Sequence, residues 1–235
     1  MPANSKKKQK QGMLIVIDGL DGSGKATQQK LLLKSLQKLD YKVKVIDFPQ
    51  YYDNFMGKFL GECLIGEHGD WISLDPYIAS TIYAVDRFES KDKITQWLEQ
   101  GYVVIADRYT TSNQLYQGAK ITDIKKQKKL LRWLDHLEHE IFKLPRPDLV
   151  IYLDIPVDVS IRLSAKHNPD KKSYSNGKLD IHEGNLELQE KVRRNALKFI
   201  TKQGNWEIIN CMNKNELMSV EDIAQKVLNK VLEIL

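Results

Sequence analysis

The run Met13-Leu14-Ile15-Val16-Ile17-Asp18-Gly19-Leu20-Asp21-Gly22-Ser23-Gly24-Lys25-Ala26-Thr27-Gln28 decides the fold. Its first five residues are all apolar, as in a strand buried on both faces, and the glycines that follow break the strand before a helical pattern begins. Gly19, Gly22 and Gly24 let backbone N–H groups converge on an anion. The next helix presents its positive end there, and Lys25 adds a mobile charge. The Gly-x-x-x-x-Gly-Lys spacing, set between a strand and a helix, is that of a phosphate-binding loop. One position departs from the general pattern: Ala26 stands where a Ser or Thr would hold magnesium, with Thr27 next to it.

Outward from this run, 235 residues suffice for one substantial core, and no linker-like stretch divides them. The expectation is one domain over residues 13–235, preceded by a disordered basic tail over 1–12. Lys6, Lys7, Lys8 and Lys10 in that tail supply most of the net charge of +5. The body is nearly neutral, which argues against nucleic acid as a partner. Cys63 and Cys211 are too few and too far apart for a disulfide framework. No apolar run approaches the ~20 residues of a membrane span, and the basic start lacks the apolar centre of a signal peptide. The expected compartment is the cytoplasm, with no membrane partner.

Short apolar runs then alternate with longer amphipathic ones. Helices are expected over 24–39 (stripe Leu31, Leu32, Leu36, Leu39), 54–65, 75–99, about 122–143 and 219–234. Strands are expected at Val43–Phe48, Tyr102–Asp107, Asp148–Asp154 and 206–210. Lys125, Lys126, Lys128 and Lys129 read as a solvated helix face. Such alternation predicts an α/β fold with a five-stranded parallel sheet covered by helices on both sides, and ligands gathered at the carboxyl ends of the strands. Phe48-Pro49-Gln50-Tyr51, Asp107-Arg108-Tyr109 and the glycine loop all fall at such ends. Asp107 can there hold magnesium and Arg108 can fork onto phosphate oxygens, or the two can form a structural ion pair.

Four segments carry a resemblance to one family. The loop at 19–28, with its Gly-Lys-x-Thr-Gln run and a small residue at x, is similar to that of the nucleoside monophosphate kinases. Within these, Phe48-Pro49-Gln50-Tyr51, Tyr83-Ala84-Val85-Asp86-Arg87, and Asp107-Arg108-Tyr109 followed by Ser112-Asn113-Gln114-Leu115-Tyr116-Gln117-Gly118 resemble, in order, motifs of the thymidylate kinases. The resemblance runs from about Met13 to the C-terminus. It implies a P-loop NTPase-type fold with a mobile lid, transfer of the ATP γ-phosphate to dTMP on the way to dTTP, magnesium, and a homodimer.

Carried over by position, the resemblance makes Gly19, Leu20, Asp21, Gly22, Ser23, Gly24, Lys25, Ala26, Thr27 and Arg162 contacts of ATP. Lys25, Arg108 and Asp21 would be catalytic, with Arg108 bridging donor and acceptor phosphates and Asp21 beside the sugar 3′-hydroxyl and the metal. Tyr83 would stack on thymine, Arg87 and Asn113 would bond its edge, and Tyr116 would press on C2′ of the sugar; Phe48, Tyr51 and Ser112 complete the dTMP set. Tyr83 by itself reads more readily as an aromatic of the core, as aromatics on a helix stripe usually are. Asp21, Asp107 and Glu183 would face the metal. The polar stretch 164–184 reads as the lid, with Lys166, Lys171, Lys172 and Lys178 as its cations. His136 and His139, three apart on a helix, lack a third ligand and read as a solvated pair. The competing readings are another nucleotide kinase, which would lack the 83–87 and 112–118 combination, and a nucleotide-binding regulator without transfer activity.

Overall fold

The computed structural model describes residues 12–166 and 185–235. Tail residues 1–11 therefore lie outside the described part. So do the side chain of Lys166 and, within the expected lid, Lys171, Lys172, Lys178 and Glu183.

The central sheet contains β1 (Met13–Gly19), β2 (Val43–Asp47), β3 (Val103–Asp107), β4 (Leu149–Asp154) and β5 (Trp206–Asn210), all parallel, in the spatial order β2-β3-β1-β4-β5. Around it lie α1 (Lys25–Lys38), α2 (Phe55–Leu64), α3 (Pro76–Glu89), α4 (Lys91–Glu99), α5 (Thr110–Ala119), α6 (Ile124–Asp135), α7 (Val157–Lys166), α8 (Leu186–Ile200) and α9 (Val220–Leu232). The alternating side chains of β1 explain the two-sided covering. Ile15 and Ile17 join one core with Leu32 and Leu36 of α1 and Ile223, Val227 and Val231 of α9. Leu14 and Val16 join the opposite core with Ile94 of α4, Phe48 and Tyr109. A third cluster packs Leu20, Leu115, Tyr116 and Tyr152 against Leu188, Val192 and Ala196 of α8.

From β1 the chain passes over β3 to reach β2, and from β3 it passes back over β1 to reach β4. The connections thus diverge between β1 and β3, which opens a crevice at their carboxyl ends. Register sets what stands there: Ile17 lies beside Asp107, and Arg108 N–H donates to Ile17 O at 3.0 Å.

Four expectations need correction. The helix expected over 75–99 is two helices meeting at Ser90. No Pro or Gly marks the break; α3 packs on α2 and α5, whereas α4 turns to cover β3, so tertiary packing divides it. The helix expected to about 143 leaves α-geometry after Asp135 and runs through a π-helical segment, His136–Ile141. His139 within it is buried, its Nδ1 2.9 Å from Leu144 O, so the histidines are not a solvated pair. Leu39, assigned to the buried stripe of α1, is 50% exposed. A two-stranded hairpin, β6 (Met212–Asn213) and β7 (Glu216–Leu217), follows β5 and was not foreseen. The lysines of α6 are exposed, as expected.

Candidate active site

The loop after β1 is held open by its glycines. Gly22 has φ +79°, and a Cβ there would lie 2.3 Å from Ser160 O, so α7 approaches the loop too closely for any side chain. Gly24, at φ +89°, opens α1 without a side-chain cap, which leaves the first-turn N–H groups of Lys25, Ala26 and Thr27 facing the crevice. Ala26 and Thr27 are exposed there, and the Ser23 hydroxyl is buried with no partner among the described residues. Lys25 is buried, its Nζ donating to Leu20 O at 2.8 Å and Gly19 O at 3.2 Å. Burial, aided by the Arg108 charge, lowers its pKa against the pull of Asp21, Asp107 and Asp18.

Arg108 is the first residue past β3 and adopts φ +64°, a left-handed backbone that a non-glycine residue takes at a cost of about 1 kcal/mol or more. That conformation turns its side chain back across the crevice mouth. Nη2 pairs with the Asp21 carboxylate, and Nη1 lies 3.8 Å from Asp18 Oδ1. The Tyr116 hydroxyl is 3.3 Å from Asp21 Oδ2 and 3.4 Å from Arg108 Nη2. Asp21, Arg108 and Tyr116, 95 positions apart at the extremes, thus form one cluster over the loop. Ser112, one helical turn before Tyr116, donates to Asp18 Oδ2 at 2.8 Å, so the two share a face of α5 as the spacing predicts.

Asp107 stands beside this cluster, and among the described residues its carboxylate accepts no hydrogen bond. Burial raises its pKa to about 6, partly offset by Lys25 and Arg108. Among the described residues no group of three or more metal-ligating side chains converges.

A second set lies deeper, along α3. Arg87 is only 2% exposed; its Nε donates to Glu138 Oε2 at 2.8 Å, and its Nη2 is buried without a partner among the described residues. Asn113 Nδ2 donates to Glu138 Oε1 at 2.9 Å and to Ser80 O at 3.1 Å. Tyr83 lies on the same helix one turn before Arg87, its hydroxyl accepting from Trp71 Nε1 at 3.3 Å with the rings edge to face. Tyr51 packs on the same apolar cluster. Phe48 is buried in a tilted stack on Tyr109, 5.7 Å between centroids. Arg162 stands apart, exposed on α7 and paired with Asp158.

Four participants were not foreseen. Glu138 joins Arg87 to Asn113. Asp18, fully buried, accepts from Thr111 and Ser112. Gln189 Nε2 reaches Asp21 Oδ2 at 3.3 Å, and the Ser160 hydroxyl donates to Asp21 O. Asp18 carried a signal, an acid at the end of an otherwise apolar strand. The others carried none, since Glu138, Ser160 and Gln189 lie on amphipathic helices where polar residues are ordinary.

The loop presents backbone N–H groups and the Lys25 ammonium, Arg108 stands across its mouth against Asp21, and Tyr83 and Arg87 lie one turn apart on α3 with Asn113 joined to Arg87 through Glu138. A family model described as thymidylate kinase matches residues 17–223. The chain is 34% identical to a "Probable thymidylate kinase" of Thermococcus gammatolerans over 94% of its own length and 96% of that protein's. It is 33% identical to the "Thymidylate kinase" of Mycobacterium tuberculosis over 77% and 82% respectively. A solved thymidylate kinase from Candida albicans superposes with a TM-score of 0.70 at 24% identity, covering 95% of this chain and 92% of that one, which carries the fold. Sequence, topology and the cluster at the loop agree, and the chain belongs to the thymidylate kinase family, ATP-dependent enzymes that phosphorylate dTMP on the way to dTTP.

Proposed function

We propose that this chain transfers the γ-phosphoryl group of ATP to dTMP in the crevice between β1 and β3, within one domain spanning 13–235. The contact of Arg108 with both Asp21 and Tyr116 at the mouth of the loop carries the reading. It puts one permanently charged fork between the loop, where the donor phosphates bind, and α5, where the acceptor sugar binds. The loop N–H groups and Lys25 Nζ hold the donor phosphates, and Arg108 draws the acceptor phosphate in line with them. Asp21 orients Arg108 and faces the sugar 3′-hydroxyl. Tyr83 stacks on the base, Arg87 and Asn113 bond its edge, and Phe48, Tyr51, Ser112 and Tyr116 enclose the rest. A phosphate monoester has a second pKa near 6, so the acceptor is already mostly dianionic at neutral pH and no side chain need act as general base.

Magnesium fits the residues present. The Asp107 carboxylate, without a hydrogen-bond partner among the described residues, and Asp21 would hold it together with phosphate oxygens. Bound there, it would neutralise charge on the transferring group. Glu183 and the lid cations complete the assignment from outside the described residues.

A homodimer is supported by the outer side of α3. Ile78 is 53% and Phe88 44% exposed, with Ile82 and Val85 half-buried between them at helical spacing, and Phe55 of α2 is 77% exposed. Among the described residues no helix is long and apolar enough to cross a membrane. A cytoplasmic site is proposed with it, supported by Cys63 and Cys211, both free and buried.

A coupled ADP-release assay across dTMP, dUMP, dCMP and dGMP tests the activity. Preference for dTMP with ATP and magnesium is expected, and equal turnover of all four would overturn the base-site assignment. Sedimentation of the free protein as a monomer at micromolar concentration would overturn the dimer.

A further inference from the structure

Glu138 is 1% exposed and sits in the π-helical segment that interrupts the path from α6 towards β4. Single π turns recur at functional sites because the extra residue aims a side chain that regular α-helix would direct elsewhere. Here the segment is pinned on both sides of the carboxylate. Phe142 N–H closes the wide turn on Leu137 O at 2.9 Å, and Leu144 N–H donates to Glu138 O at 2.9 Å. His139 Nδ1 meets Leu144 O at the same distance.

We propose that Glu138 is a positioning residue for base specificity. By accepting from Arg87 Nε and Asn113 Nδ2 at once, it fixes which hydrogen-bonding functions these two side chains can offer a base. The inference rests on the assignment of Arg87 and Asn113 to the thymine edge.

A carboxylate only accepts, and so does the Ser80 carbonyl. With both of these against it, the Asn113 amide must turn its nitrogen towards them, and its two hydrogens are consumed at 2.9 and 3.1 Å. Oδ1 is then the only function Asn113 has left, and it is an acceptor. On Arg87, Nε is spent on Glu138 at 2.8 Å, while Nη2 is buried with no partner among the described residues. What remains is a donor only.

Donor beside acceptor is the complement of thymine, whose O4 accepts and whose N3–H donates. Cytosine reverses both functions, with an amino group at position 4 and an unprotonated N3. It would bring donor to donor and acceptor to acceptor against side chains that are themselves buried. A neutral amide at 138 would lift the constraint. Its own N–H group would oppose either Arg87 Nε–H or Asn113 Nδ2–H, and the Asn113 amide could then turn over.

The test compares dTMP with 5-methyl-dCMP, which keeps the methyl group and changes only the edge, in wild type and Glu138→Gln. The variant should raise KM for dTMP about tenfold or more, leave kcat within about threefold and KM for ATP unchanged, and reduce the dTMP to 5-methyl-dCMP ratio of kcat/KM by about tenfold or more. An unchanged ratio would overturn the proposal, even with weaker binding, because a merely structural loss weakens both substrates alike.

Arg87→Ala and Asn113→Ala are the controls. If they leave KM for dTMP unchanged, the assignment of the base edge fails. If they raise it while Glu138→Gln does not, only the role of Glu138 fails. Should Glu138→Gln not fold, side-chain 15N NMR of the wild type decides. Addition of dTMP should shift Arg87 Nη while Arg87 Nε and Asn113 Nδ2, already bonded, stay in place; a large shift of Nε on binding would overturn the proposal.

Discussion

The guanidinium carbon of Arg108 lies 5.0 Å from the centroid of the Tyr116 ring, while Arg108 Nη2 is 3.4 Å from that ring's hydroxyl. The phenol is therefore held at both ends, by a cation near its ring and by Asp21 at its tip. On the proposed assignment of Tyr116 to the sugar pocket, a ring held this firmly would leave no room for a 2′-hydroxyl.

From this we expect wild type to favour dTMP over its ribo counterpart by at least ~100-fold in kcat/KM. Tyr116→Ala should narrow that gap chiefly by accepting the ribonucleotide. Tyr116→Phe keeps the ring and should keep the preference, with a modest loss of kcat through the freed Asp21 and Arg108 contacts. Equal use of both sugars by wild type would refute the assignment of the sugar pocket.

Lys25→Met should lower kcat by about 10³-fold while the protein stays folded, because a buried, preorganised charge is lost from the transferring phosphate. Among the described residues the Lys25 ammonium bonds the carbonyls of Gly19 and Leu20, where β1 passes into the loop, so its removal frees two acceptors without opening the core. Circular dichroism checks the fold and single-turnover kinetics the step. Turnover within about tenfold of wild type would remove Lys25 from the reaction.

Gly22→Ala and Gly24→Ala should differ in kind. At Gly22 the new Cβ meets Ser160 O at 2.3 Å and Ser164 Oγ at 2.7 Å, so loop and α7 must separate; at Gly24 nothing among the described residues lies within 4 Å. Both positions carry left-handed strain of about 1–2 kcal/mol for alanine. We expect Gly22→Ala to lose more stability than Gly24→Ala by about 1–3 kcal/mol in urea unfolding, the cost of forcing atoms into a filled space. Equal losses would show that α7 yields.

Asp86, fully buried on α3, has a pKa raised from 3.8 to about 6 by burial, against the hydrogen bonds it accepts and the Arg87 charge. Its Oδ2 lacks a partner among the described residues. The folded protein therefore binds this proton more tightly than the unfolded chain does. The resulting stability is complete below the unfolded value and is lost as pH rises through about 6. Wild type should lose about 2 kcal/mol from this group between about pH 4.5 and pH 7.5, and Asp86→Asn should lack that slope. Parallel urea-unfolding profiles for the two proteins would contradict it.

What the chain alone determined were the features written within a few neighbouring residues. Met13 to Lys25 specify strand, glycine turn and helix through apolar continuity and spacing, and Val103–Asp107 and Leu149–Asp154 read as strands because both their faces are buried. From parallel strands it also follows that the loop, Asp107 and Arg108 gather at one end of the sheet. The pairing of side chains across long separations was not written in that way. Arg87 and Glu138 lie 51 positions apart, and Asp21 and Gln189 lie 168 apart. On its own helix each partner is one polar residue among several.

The break at Ser90 and the π-helical segment at His136–Ile141 were likewise decided by tertiary structure. Local propensity favours continuing both helices, and it yields where α4 must cover β3 and where Glu138 must turn inward. A buried charge is tolerated only with its partner present, and the partner is supplied by the assembled fold.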